Sequence, residues 1–156
     1  MTNILITGNL TYLAEELSVE FLREKNRIVL VSKTIPNISI SKQKKIITHA
    51  VDPVDEEFAE ILSAYDFDVI IYLPTHEEHI ITNNVSLSEA GQLLSGLSNV
   101  LELSKNEKVQ RFIYISSTEV YGKLNKSDEE TQPNPESLNG YNQKRAFPRS
   151  LLRKKQ

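Results

Sequence analysis

Apolar and polar positions along the chain follow two rhythms. Asn3–Thr7 (NILIT), Arg27–Ser32 (RIVLVS), Asp68–Leu73 (DVIIYL) and Arg111–Ser116 (RFIYIS) are short runs rich in branched apolar residues. Unbroken runs of this kind predict parallel strands covered on both faces. Ile46–Val51 is a weaker run of the same type. Between the runs, apolar residues recur at helical spacing. Leu10, Leu13, Ala14, Leu17 and Phe21 form one stripe that ends near Lys25. Phe58, Ile61 and Leu62 form a second, behind Asp52-Pro53, which reads as an N-cap followed by proline at the first helical position, with Asp55 and Glu56 in the first turn. Leu93, Leu97, Val100, Leu101 and Ser104 share one face of a long helix within Asn83–Lys105. Lys123–Gly140 is polar, carries Pro133 and Pro135, and reads as loop. A last helix could begin near Tyr141, but Pro148 limits it. Strands alternating with helices, joined by right-handed crossovers, predict an α/β fold with a doubly wound parallel sheet.

Composition narrows the class. The chain has 156 residues, 39% of them hydrophobic and 25% charged, which fits one folded globular domain. A net charge of −3 gives no reason to expect nucleic acid or an anionic membrane as partner. With no Cys, a disulfide scaffold, a thiolate metal site and a thiol nucleophile are excluded. No apolar run approaches the ~18 residues that span a bilayer. The N-terminus MTNILITGNL lacks the basic and long apolar regions of a signal peptide, so the cytoplasm is the expected location.

The first strand ends at Gly8 and opens into a helix, the geometry of a phosphate-binding turn. In such turns one glycine makes the bend, one admits the pyrophosphate and one lets helix and strand pack closely. Over Gly8-Asn9-Leu10-Thr11-Tyr12-Leu13-Ala14 only the first of these is glycine. Thr11 stands where close approach is wanted, and Ala14 stands at the packing position. A plain strand-turn-helix connection would look similar. Dinucleotide sites place a carboxylate at the end of the second strand to hold the ribose hydroxyls. Here Ser32 and Lys33 occupy that place. The pair could accept a 2′-phosphate, which tilts the expected cofactor from NAD toward NADP, or Lys33 could be an ordinary loop lysine.

Arg111–Gly122 reads RFIYISSTEVYG. With Thr7-Gly8, Asp52, Ile71-Tyr72-Leu73-Pro74 and Asn99-Val100-Leu101-Glu102-Leu103, it resembles the extended short-chain dehydrogenase/reductase family, the NAD-dependent epimerase/dehydratase group acting on nucleotide sugars. The resemblance runs over about residues 3 to 145 and rests most on the V-x-R-F-x-Y-x-S-S-x-x-V-Y-G segment that starts at Val109. It implies a Rossmann-type domain over 1–145, a basic tail over 146–156, NAD or NADP as cofactor, and a nucleotide-sugar substrate. It implies that Ser117 hydrogen-bonds the substrate oxygen, that Tyr141 is the base taking a hydroxyl proton, and that Glu119 sits at an acid/base position of the dehydratase branch. It implies cofactor contacts at Gly8, Thr11, Leu13, Ser32, Lys33, Asp52 and Leu73, with Asp52 on the adenine amino group. Asn99 matches a structural asparagine on the long helix.

Several positions depart from the family pattern. Arg145 replaces the lysine that lowers the tyrosine pKa; it keeps the charge in a bulkier planar form. Thr11 and Ala14 alter the glycine turn, Ser32 replaces the ribose acid, Thr118 stands where the dehydratase branch has an acid, and Pro74 removes a backbone donor. The family's C-terminal half, which carries the sugar-binding domain, is absent from these 156 residues. Three readings follow: the N-terminal part of such an enzyme, a non-catalytic cofactor-binding or interaction module, or a short enzyme completed at a dimer interface. The partner expected is a second copy or a chain that supplies the other half. His76-Glu77-Glu78-His79 has its histidines at i and i+3, not the i and i+4 of a zinc helix, and reads as solvated loop, so no metal is expected. His49 reads as a structural residue. Lys42, Lys44 and Lys45 read as a solvated run, and Glu15-Glu16 and Glu129-Glu130 as solvated pairs.

Overall fold

The computed structural model describes residues 1–10, 12–35, 45–74, 87–116, 128 and 130–132. The chain forms two compact units: Met1–Thr75 with Ser95–Ile115, and His76–Leu94 with Ser116–Gln156. The first unit contains a five-stranded parallel sheet. Its elements are β1 (Asn3–Gly8), α1 (Tyr12–Arg23), β2 (Arg27–Ser32), β3 (Ile46–Ala50), α2 (Glu57–Leu62), β4 (Val69–Leu73) and β5 (Arg111–Tyr114). Helix α3 (Leu87–Leu103) enters this unit from Ser95 onward.

The strand order is β3-β2-β1-β4-β5. The chain runs outward from β1 through β2 to β3, then returns to β4 on the other side of β1. The topology therefore reverses between β1 and β4, and loops leaving the carboxyl ends of the strands open a crevice there. Register puts Thr7 opposite both Val31 and Tyr72, and Gly8 opposite Leu73.

The sheet is buried on both faces, as its apolar runs require. Leu5, Val29, Val31, Ile70 and Tyr72 face one core with Phe58 and Leu62 of α2 and Leu97 and Val100 of α3. Ile4, Ile6, Ile28, Leu30, Ile71 and Leu73 face the other with Leu10, Ala14, Leu17 and Phe21 from the α1 side. Helices thus cover both faces, and the doubly wound Rossmann-type architecture expected from the sequence is the one observed. The inner strands β1, β2 and β4 are almost continuously buried, whereas β3 and β5 are half exposed. That difference explains why the Ile46–Val51 signal was weaker.

Several boundaries differ from the sequence expectation; β3 ends at Ala50 and β4 starts at Val69, each one residue short. β1 extends to Gly8, and β5 ends at Tyr114, two residues early. The second helix starts at Glu57 and not directly after Asp52. Asp52 is not a helix N-cap. Its Oδ1 accepts the Val54 N–H at 3.2 Å and its carbonyl accepts the Asp55 N–H at 2.9 Å, while the Asp55 carbonyl takes the Phe58 N–H. Two tight turns therefore precede the helix, because the short carboxylate offers the backbone a local alternative to helical bonding.

Helix α1 ends in a Schellman motif. Lys25 adopts φ +63°, its N–H bonds the Leu22 carbonyl, and the Asn26 N–H bonds the Phe21 carbonyl. The Asn26 side chain then accepts the Thr2 N–H at 3.1 Å, and Arg27 begins β2.

Candidate functional site

The carboxyl edge of the sheet brings together residues that are far apart in sequence. Gly8 ends β1 at φ +106°, a conformation that L side chains rarely adopt. A Cβ there would lie 1.9 Å from the Leu73 carbonyl oxygen. The same oxygen accepts the Asn9 N–H at 2.7 Å. The turn leaving β1 is therefore pressed onto the end of β4, and only glycine allows that approach. The Leu73 side chain is buried in the α1-side core, so β4 presents its backbone at this edge.

Helix α1 begins at Tyr12, so its N-terminal amides and the positive end of its dipole lie just beyond this turn. Leu13, in the first turn of α1, is 40% exposed. Tyr12 is exposed too, and the charge of Glu16, together with a hydrogen bond to it, raises the Tyr12 hydroxyl above its ordinary value. Glu16 is exposed, in keeping with the solvated pair expected, and Glu15 is half-buried. Ala14 is fully buried against the sheet, which fits the small residue required at the packing position.

Ser32 closes β2 and is buried, and Lys33 is exposed beyond it. Lys33 Nζ lies 3.9 Å from Asp52 Oδ2. The sequence presents Ser32-Lys33 and Asp52 as two separate features; the parallel pairing of β2 with β3 makes them one cluster. The ion pair is long and Lys33 is highly exposed, so it is worth well under ~1 kcal/mol.

Behind Asp52, the turn is held from the α3 side. Asn99 Nδ2 donates to the Pro53 carbonyl at 2.8 Å. Gly96 is buried, and a Cβ there would come within 3.4 Å of the Tyr72 hydroxyl and Val54 and 3.5 Å of Pro53. Tyr72 is buried beside Tyr114, with ring centroids 5.9 Å apart. Burial pushes its hydroxyl well above the ordinary value, with Tyr114 and Asp52 adding to the push. The Thr7 hydroxyl, on β1 at this edge, is buried with no hydrogen-bond partner among the described residues, and so is that of Ser116.

Of the residues expected from sequence, Gly8, Leu13, Ser32, Lys33, Asp52 and Leu73 lie at or near this edge. Thr11, Ser117, Thr118, Glu119, Tyr141 and Arg145 lie outside the described residues, as do His76 to His79. Among the described residues no group of three or more His, Cys, Asp or Glu could hold a metal ion, and no helix is long and apolar enough to cross a membrane. His49 bonds the Tyr65 hydroxyl at 2.7 Å, consistent with a structural role.

Strand order, reversal point and glycine turn define a Rossmann-type dinucleotide-binding domain. The family model for the NAD dependent epimerase/dehydratase family matches residues 4–154, and the chain belongs to that family. It corresponds to the dinucleotide-binding part of that family. Among curated proteins it is 28% identical to a dTDP-D-glucose 4,6-dehydratase of Dictyostelium discoideum, covering 76% of this chain and 30% of that protein. It is 27% identical to the UDP-glucose 4-epimerase uge1 of Schizosaccharomyces pombe, covering 76% of this chain and 36% of that protein. The chain thus spans about a third of the length of the curated relatives it matches. Among solved structures, the UDP-Glc/GlcNAc 4-epimerase of Campylobacter jejuni superposes with a TM-score of 0.83 at 18% identity, covering 99% of this chain and 49% of that one. The UDP-glucose 4-epimerase of Bifidobacterium longum gives 0.81 at 20% identity, covering 98% of this chain and 48% of that one. At these identities the superpositions establish the fold.

Proposed function

We propose that the carboxyl edge of β1, β2 and β3 binds NAD or NADP, and that the chain is the cofactor-binding part of a nucleotide-sugar epimerase or dehydratase. The observation that carries this reading is the closure of Gly8 onto Leu73 at the reversal point of the sheet, which sets a helix N-terminus at the crevice. The Bifidobacterium longum structure is described in complex with NAD+ and UDP, which supports the same ligand classes here.

In this reading the amides beyond Asn9, at the start of α1, hold the pyrophosphate, bordered by Thr11 and Leu13. Ser32 and Lys33 hold the ribose end of the adenosine, Asp52 takes the adenine amino group, and the β4 end at Leu73 backs the cofactor. Exposed Lys33 suits the 2′-phosphate of NADP, and Asp52 is its resting partner. The nicotinamide, when bound, supplies a hydride acceptor for a sugar carbon. Tyr141 takes the hydroxyl proton, Ser117 hydrogen-bonds the sugar oxygen, Glu119 serves as acid/base, and the cation of Arg145 lowers the Tyr141 pKa. The cofactor domain spans 1–145 and the basic tail 146–156. The relatives extend well beyond the matched stretch, and we assign the sugar to that part of the enzyme, in the same polypeptide, a second copy or a partner chain. A cytoplasmic location goes with this reading.

Calorimetric titration with NADH and NADPH tests it. Saturable binding is expected, with a dissociation constant above about 1 μM because Thr11 stands at the close-approach position. Absence of binding to either cofactor overturns the proposal. Binding without turnover of UDP- or dTDP-sugars by this chain supports a cofactor-binding module that is not catalytic alone.

A further inference from the structure

The amino edge of the sheet, opposite Gly8, Ser32 and Asp52, carries a cleft of about 770 Å³. A six-residue strand is roughly 20 Å long, so this cleft is separate from the candidate dinucleotide edge. Its size lies within the range of small-molecule sites, about 300–1,000 Å³.

The floor is apolar and aromatic: Val29, Ile47, Tyr65 and Phe67 line it. Tyr65 and Phe67 stack at 5.8 Å with 25° between their planes. The Tyr65 hydroxyl is occupied by His49, so at the floor Tyr65 offers its ring edge and Ile47 its aliphatic carbon. Ile47 is 46% exposed, a large apolar side chain left facing solvent on an edge strand.

The rim is cationic. Lys25, Arg27 and Lys45 line the cleft and are exposed. None of them forms an ion pair among the described residues. Asp66 is the carboxylate in the lining, and Lys108 Nζ engages it at 2.6 Å. Three cations without an ion pair among the described residues gather around one apolar cleft, in a chain of net charge −3. The Schellman turn at Lys25 and the start of β2 at Arg27 fix two of them to backbone that the fold specifies.

We infer that this cleft binds a small aromatic anion, a flat ring system carrying a carboxylate, sulfonate or phosphate. The ring covers exposed Ile47 and the half-buried Tyr65, with buried Phe67 stacked behind it, and the anion is held by the three cations. The site is independent of the dinucleotide edge.

Anilinonaphthalene sulfonate is a probe of this chemistry, and its fluorescence titration against the full chain is the test. One saturable site is expected, with amide NMR shifts confined to residues 25–29, 45–47 and 64–67. The double variant Arg27→Glu/Lys45→Glu should weaken binding about tenfold or more, the loss expected for removing charge-assisted contacts. The neutral analogue N-phenyl-1-naphthylamine should bind at least about tenfold more weakly than the sulfonate. Shifts mapping elsewhere, equal affinity for the neutral analogue, unchanged binding in the double variant, or displacement by NADH would each overturn the inference. Shift mapping on the unaltered chain keeps the inference falsifiable if the double variant fails to fold.

Discussion

The Asn99 side chain donates to the Pro53 carbonyl oxygen at 2.8 Å, linking positions 46 residues apart. This bond fixes α3 against the turn that presents Asp52. Gly96, one helical turn earlier, lies against the same turn, where a Cβ would meet Tyr72, Val54 and Pro53 at ordinary contact distances. Replacing Asn99 by Ala should cost about 1–2 kcal/mol of stability, the usual loss for a partly buried hydrogen bond whose partner is left unsatisfied. Urea unfolding reads that loss. Cofactor affinity should fall as well, since the Asp52 turn loses its support, and unchanged affinity for NADH and NADPH would detach this turn from the binding edge.

Gly8→Ala should be the most damaging single-methyl change in the fold. The added carbon would sit 1.9 Å from the Leu73 carbonyl oxygen at a backbone φ of +106°. Relief requires moving the β1–α1 turn off β4, so a loss of at least ~3 kcal/mol is expected. A urea midpoint close to that of the unaltered chain would show that the turn is not pressed on Leu73.

Lys33→Glu should leave stability within about 0.5 kcal/mol, because Lys33 is exposed and its pairing with Asp52 is long. Its effect should appear in cofactor preference. NADPH affinity should fall about tenfold more than NADH affinity, as expected when a charge-assisted phosphate contact becomes a repulsion. Equal effects on both cofactors would remove Lys33 from the 2′-phosphate role.

Tyr72 gives a pH prediction. Its hydroxyl has an ordinary value of 10.0 and is raised in the fold, chiefly by burial. Above that ordinary value the unfolded chain gives up the proton while the folded chain still holds it. The unfolded state then binds fewer protons, so stability falls as pH rises. The contribution is whole below pH 10 and is lost progressively above it. Tyr72→Phe removes this term, so the variant's unfolding midpoint should decline less between about pH 9 and pH 11. Parallel declines would mean that Tyr72 ionises freely in the folded protein.

Leu5, Ile28, Ile70 and their neighbours made the strands legible, because a parallel strand covered on both faces must be an apolar run whatever surrounds it. Ile46–Ala50 was fainter because β3 is an edge strand with one side half exposed. The second helix begins at Glu57, later than its sequence pattern predicts, since Asp52 and Pro53 carry the same local signature whether they cap a helix or make a turn. The acidic side chain's bond to Val54 decides between the two, and that outcome depends on where α3 holds Pro53.

The sequence by itself determined the element types, their order and the glycine at the first turn. Each follows from interactions within a few residues: burial periodicity, backbone freedom at Gly8, and the absence of a run long enough for a membrane. Only the tertiary structure decided the strand order β3-β2-β1-β4-β5, the seating of Gly8 on Leu73 and the meeting of Lys33 with Asp52. It also decided that Lys25, Arg27 and Lys45 gather around one cleft. These relationships join residues that are distant along the chain. They are set by strand register and by which helix covers which face, and no local pattern encodes either.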